Sequence, residues 1–214
     1  MYKLINQSMD RIVRQSGKDY DKKKDYVKQY DRLIEGRKSK LAEDYKRDYR
    51  SFWVMNRAVF SPEFYDAFFN LLAEGLRQGE RRSFDIREVL QRLYDAPNNR
   101  KSLQFSFATK LLHTIDPTLP VYDLMIAYFY FLDLPKTSLA LSDRIDALAD
   151  LHSFLIREYA RVLRENLLTP AISAFRETYQ PKHFTDEKII DTLIWSFVGL
   201  RFSDPKFNYE LQYT

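Results

Sequence analysis

Asp123 closes the segment Lys101-Ser-Leu-Gln-Phe-Ser-Phe-Ala-Thr-Lys-Leu-Leu-His-Thr-Ile-Asp-Pro-Thr-Leu-Pro-Val-Tyr-Asp123, and its setting is the one in this chain that most suggests chemistry. A helix carrying apolar and polar residues side by side runs into a Pro-bounded loop, and a carboxylate then opens a very apolar run. Two roles fit that position. As an N-cap for a helix over 124–132, an Asp stabilises by about 1 kcal/mol. As a semi-buried carboxylate aimed into a cleft, it would be kept ionised by amide donors while desolvation raises its pKa. Other standard chemistry is missing. No cysteine is present, which removes thiolate nucleophiles, disulfides and Cys-ligated metals. His113, His152 and His183 are the only histidines, so a His-based metal site would need nearly all of them in one place; no metal or other cofactor is expected. The five glycines are scattered, and neither a phosphate-cradling loop, a G-x-S-x-G elbow nor an H-E-x-x-H pair occurs. His113, on an apolar helix, suits a satisfied core histidine.

The elements that must hold Asp123 follow from helical periodicity, which recurs almost everywhere while two-residue alternation is nearly absent. Tyr26, Tyr30, Leu33 and Ile34 form one stripe with Gly36 as a stop; Tyr45, Tyr49, Phe52, Trp53 and Asn56 form the next. Ser61-Pro62-Glu63 reads as cap, first-turn proline and dipole-facing acid, followed by Phe64, Tyr65, Phe68, Phe69, Leu72 and Leu76. Ser83 is expected to start a helix closed before Pro97. Another is expected from about Ser102 to Ile115, ending at Asp116-Pro117. Ser142 is expected to cap a long helix, Thr169-Pro170 to open another, and Thr185 to cap the last. The expected fold is all-α and compact.

At 214 residues the chain is one large domain, or a domain with an appendage. Its 45 % hydrophobic and 30 % charged composition excludes full disorder. The opening MYKLINQSMDR places charge where a signal peptide's apolar core would sit, and the most apolar window, Leu119 to Leu134, is broken by Asp123 and Asp133. A cytoplasmic protein without a membrane partner is expected. Charge is unevenly placed: residues 1–50 hold 15 Lys and Arg against 9 Asp and Glu, a net of +6, and the remainder nets −2. Residues 1–40 are therefore expected to form a basic helical arm on a body spanning 41–214, suited either to phosphate contact or to plain solvent exposure. The many aromatic residues, 16 Phe and 15 Tyr, are assigned to the core; Tyr20, Tyr45 and Tyr49 alone have the basic setting of a base-stacking platform.

The tract Phe107-Ala-Thr-Lys-Leu-Leu-His-Thr-Ile-Asp-Pro-Thr-Leu-Pro-Val-Tyr-Asp123 resembles the core signature of the helix-hairpin-helix base-excision DNA glycosylases, in which an Ala-containing helix and a Pro-Val-Asp-type turn deliver the catalytic aspartate. It is more similar still to a group of bacterial proteins with an 8-oxoguanine-glycosylase-like fold, which Phe52-Trp-Val-Met-Asn56, Ser61-Pro-Glu-Phe-Tyr65 and Lys188-Ile-Ile-Asp-Thr-Leu-Ile-Trp195 also suit. The resemblance implies DNA as partner and Asp123 as the residue that stabilises a sugar cation, or positions water, as a damaged or modified base leaves. Two departures stand beside it. The hairpin equivalent, Pro97-Asn-Asn-Arg-Lys-Ser102, has no glycine, leaving Arg100 and Lys101 to meet phosphate by charge. The position of the Schiff-base lysine of bifunctional members is Ser106, which is therefore placed on the DNA face; Lys110, one turn along, reaches the cleft as a second catalytic candidate, or is a solvated lysine or a partner for Asp123. Base excision, and a non-catalytic nucleic-acid- or protein-binding module on the same fold, are the two functions expected. Which base is recognised, strand preference and oligomeric state stay open.

Overall fold

The computed structural model describes residues 1–18, 25–37, 41–57, 60–78, 84–98 and 101–212. Of these, 74 % are helical, and none forms a strand; an isolated bridge joins Lys18 and Asp25. The helices are α1 (Tyr2–Gln7), α2 (Met9–Ser16), α3 (Tyr26–Gly36), α4 (Glu43–Phe52), α5 (Pro62–Gln78), α6 (Ile86–Asp95), α7 (Phe105–Ile115), α8 (Leu124–Tyr130), α9 (Leu141–Arg164), α10 (Thr169–Tyr179), α11 (Asp186–Ser203) and α12 (Pro205–Gln212), with a 3-10 turn at Met55–Arg57.

The caps explain most of these boundaries. Ser61 Oγ accepts from Phe64 N at 3.2 Å and Thr185 Oγ1 from Lys188 N at 3.2 Å, as their sequence positions lead one to expect. Three expected starts move. The α6 cap is Asp85, which accepts from Arg87 N at 2.9 Å, while Ser83 lies outside the described residues. Helix α7 begins at Phe105 rather than near Ser102. Ser142 sits inside the first turn of α9, where its hydroxyl bonds Asp143 instead of capping. Thr185 does not cap the last helix either: α12 follows, its first turn held by Asp204 Oδ1 accepting from Phe207 N.

Helix α11 is buried along most of its length and lies at the centre, with α2, α8, α9, α10 and α12 packed on it. Helices α5 and α6 pack on α7, and α9 links α6 to α11. The described part of residues 1–40 shares this core: Ile5, Ile12, Val13, Val27, Tyr30, Leu33 and Ile34 are buried, and Ser16 Oγ donates to Ser196 Oγ on α11. Two of its described cations are paired. Arg11 pairs with Asp204 and Lys28 with Asp25; Lys46 and Arg47 just beyond pair with Glu43 and Asp44. Tyr49 is fully buried and Tyr45 partly so, which leaves neither ring as a stacking platform; Tyr20 lies outside the described residues. Among the described residues no helix is long and apolar enough to cross a membrane.

Two buried histidines tie this core to acid stability. Burial, with the Lys188 charge beside it, lowers His113 to about 3, and burial lowers His152 to about 4. Both are neutral in the fold but take a proton near pH 6.5 once unfolded. Unfolding therefore binds protons between those limits, and each histidine should cost about 1.4 kcal/mol of stability per pH unit as pH falls from 6.5 toward its folded value. Denaturant midpoints measured from pH 7 to 4 should fall steeply, and a His152→Gln variant should show a shallower slope.

Candidate functional site

The Pro-bounded loop before Asp123 is pinned on three sides. His113 Nδ1 donates to the Leu119 carbonyl at 2.6 Å, and because its Nε2 must then accept, the Tyr30 hydroxyl donates to it at 2.8 Å. Thr109 Oγ1 accepts from Tyr122 N at 3.0 Å, and Thr185 Oγ1 donates to Pro117 O at 2.9 Å. The histidine that looked like a core residue is one, and its bonds fix the turn that delivers the carboxylate. Asp123 then caps α8, Oδ1 accepting from Ile126 N at 3.0 Å. Among the described residues Oδ2 accepts no hydrogen bond.

Four charges gather around this point. Lys110, partly buried on α7, donates from Nζ to the Trp53 carbonyl at 3.2 Å and lies 5.7 Å from the Phe107 ring centre. It points inward, unlike a solvated helix lysine. Lys188 on α11 is 1 % exposed and donates to Asp191 Oδ2 at 2.7 Å. Its ammonium sits 5.2 Å from the Trp53 ring, 5.4 Å from Tyr30 and 5.7 Å from Tyr26, a cage of three aromatic faces. Asp191 Oδ1 accepts from the buried Tyr159 hydroxyl at 3.5 Å. The charges act on one another. Burial and the Asp191 charge hold the Asp123 carboxyl above its ordinary range, against the pull of Ile126 N–H, Lys110 and Lys188. Burial holds Lys110 below the usual lysine range, with Asp123 opposing it. Burial alone would lower Lys188, but Asp191 with the Tyr26 and Tyr30 phenols carries it above an ordinary lysine.

Trp53 is the hub, joining the Lys110 bond, the Lys188 cage and an edge contact to His113 at 5.8 Å, while its buried Nε1 has no hydrogen-bond partner among the described residues. The residue that turns the chain after it, Val54, has φ +53°, a left-handed conformation that a β-branched side chain adopts only under strain. Strain of this kind collects at sites whose surroundings enforce it.

The remaining expected residues lie elsewhere. Arg100 falls outside the described residues. Lys101 is exposed, its Nζ bonded to Tyr94 O at 3.1 Å. Ser106 is partly buried in the first turn of α7, one turn before Lys110, and its carbonyl accepts from Thr109 Oγ1. Lys188 and Asp191 were not singled out as site residues by the sequence, although an acid three residues after a base on the inward stripe of α11 was a usable signal. Among the described residues no group of three or more His, Asp or Glu side chains is arranged to hold a metal ion. Surface cavities of about 170 Å³, lined by Glu43, Arg50 and Tyr65, and about 230 Å³, lined by Asp10, Arg14 and Thr178, do not include Asp123. Comparison of the chain with protein-family models, with curated proteins and with solved structures finds no match.

Proposed function

We propose that this chain binds DNA and hydrolyses the N-glycosidic bond of a flipped damaged or modified base, with Asp123 as the acting carboxylate. The observation that carries this reading is a partly buried Asp with one oxygen fixed by its own helix cap and the other unbonded, set beside the partly buried Lys110. A carboxylate held so is preorganised to stabilise a sugar cation. The C–N bond breaks with its electron pair leaving on the base; a water oxygen bonds the anomeric carbon and gives up a proton, which the departing base takes up. The Lys110 charge favours the ionised form of Asp123 that this step needs, and Lys101 offers an exposed cation for phosphate. Admitting a flipped base costs a few kcal/mol of unstacking that pocket contacts must return.

The cap bond itself favours a second reading, in which Asp123 serves only α8 and the chain is a non-catalytic nucleic-acid- or protein-binding module. An oligonucleotide panel of lesions and modified bases, in single and double strands, separates the two when scored for abasic sites. Base release from at least one member is expected. Binding without release from any member selects the second reading.

A further inference from the structure

Although 15 % of the chain is aromatic, the large rings left exposed among the described residues are Tyr128, Phe131 and Phe202, at 52, 83 and 62 %. They fall together. Leu124 and Tyr128 lie four residues apart on one side of α8, Phe131 caps its end, and the Tyr128 and Phe202 ring centres are 4.9 Å apart. Leu134, 54 % exposed, follows three residues after Phe131. Phe131 is doubly unfavourable in an isolated chain. It caps α8 at φ +55°, where Gly or Asn is preferred, and it leaves a phenyl ring in water. Of the other residues at comparable angles, Asn166 and Gln180 are polar and Val54 is apolar.

We infer that this face of α8, with Phe202, pairs with the same face of a second copy of the chain. The apolar centre amounts to roughly 600 Å², at the top of what monomers leave bare and most of the roughly 800 Å² that each side of a stable interface contributes. Two copies related by a two-fold axis near Tyr128 set α8 antiparallel to itself, so that the small Leu124 of each faces the large Phe131 of the other. The charges adjoining in sequence are Asp133 against Lys136, Arg201 and Lys206, and among the described residues Asp133, Lys136 and Lys206 form no ion pair. The inference does not depend on glycosidic activity.

Sedimentation of the full chain across micromolar to tens-of-micromolar concentrations should give the mass of a dimer. The double change Phe131→Ser with Phe202→Ser should raise the dissociation constant about a hundredfold while leaving the helical circular dichroism signal intact. A monomer at every concentration overturns the inference, as does a dimer unaffected by the serine changes. A monomer whose nucleic-acid binding is weakened by Phe131→Ser would overturn it and give the face to nucleic acid.

Discussion

An Asp123→Asn protein should keep its fold and its melting temperature yet release base about 10²–10³-fold more slowly than the parent. The change is chosen because it separates the two roles of one side chain. Asn caps helices about as well as Asp, so the amide oxygen can still accept from Ile126 N and α8 remains closed. The lost charge removes repulsion from Asp191 and attraction from Lys110 and Lys188, effects of opposite sign on stability. In the transition state nothing offsets the loss, because the unbonded oxygen can no longer face a developing sugar cation as an anion. Asp123→Ala also removes the cap and should cost about 1 kcal/mol in addition. The pH profile gives an independent check. Burial and Asp191 hold this carboxyl above its ordinary range, so activity that needs the ionised form should fall on the acid side at a higher pH than an exposed Asp would give. Residual activity of the Asn protein should lack that limb. Single-turnover release at the parent rate would remove Asp123 from catalysis and select the binding-module reading.

How far the sequence carried this site depends on which contacts are local. The α8 cap, the α5 cap at Ser61 and the α11 cap at Thr185 are bonds across three residues, and each was legible from residue type and position. The misplaced starts at Ser83, Ser102 and Ser142 each had a competing start within two or three residues, and tertiary packing decided between them. Helix α12 was missed despite Asp204-Pro205, which repeats the cap-and-proline signal of Ser61-Pro62. The basic character of residues 1–50 was real in count. Its compensation was only partly visible, because Asp25, Glu43 and Asp44 answer their partners within one turn while Asp204 answers Arg11 from the other end of the chain. The Lys188 cage was the least legible feature. Its faces come from α3, α3 and the end of α4, and no local pattern says that three rings from the first quarter of the chain converge on one ammonium in α11.

That cage leads to the largest effect expected on stability. Charged side chains are almost never fully buried unless paired, and withdrawing an ion from water costs several kcal/mol even after relaxation. Lys188 and Asp191 accept that cost at the centre of the molecule, joined at 2.7 Å. Removing one partner strands the other, so Lys188→Met should destabilise by about 3–5 kcal/mol. Asp191→Asn should cost less, because the two ions are unequally supported. The ammonium keeps three aromatic faces at 5.2–5.7 Å, whereas the carboxylate left alone has the Tyr159 hydroxyl at 3.5 Å, a long bond. Replacing both, Lys188→Met with Asp191→Leu, should recover much of the loss, since an apolar pair avoids both desolvation terms. Equilibrium unfolding of Lys188→Met, Asp191→Leu and the variant carrying both forms a double-mutant cycle with the parent, and additive losses would show that the two residues are not coupled. Activity should respond differently from stability. The Asp191 charge raises the Asp123 carboxyl, so Asp191→Asn should move the acid limb of base release to lower pH, while Lys188→Met, which removes a cation that favours ionised Asp123, should move it to higher pH. Opposite displacements of the limb by two variants that both lose stability would tie the buried pair to the chemistry of Asp123, because general loosening of the fold has no reason to shift it in two directions.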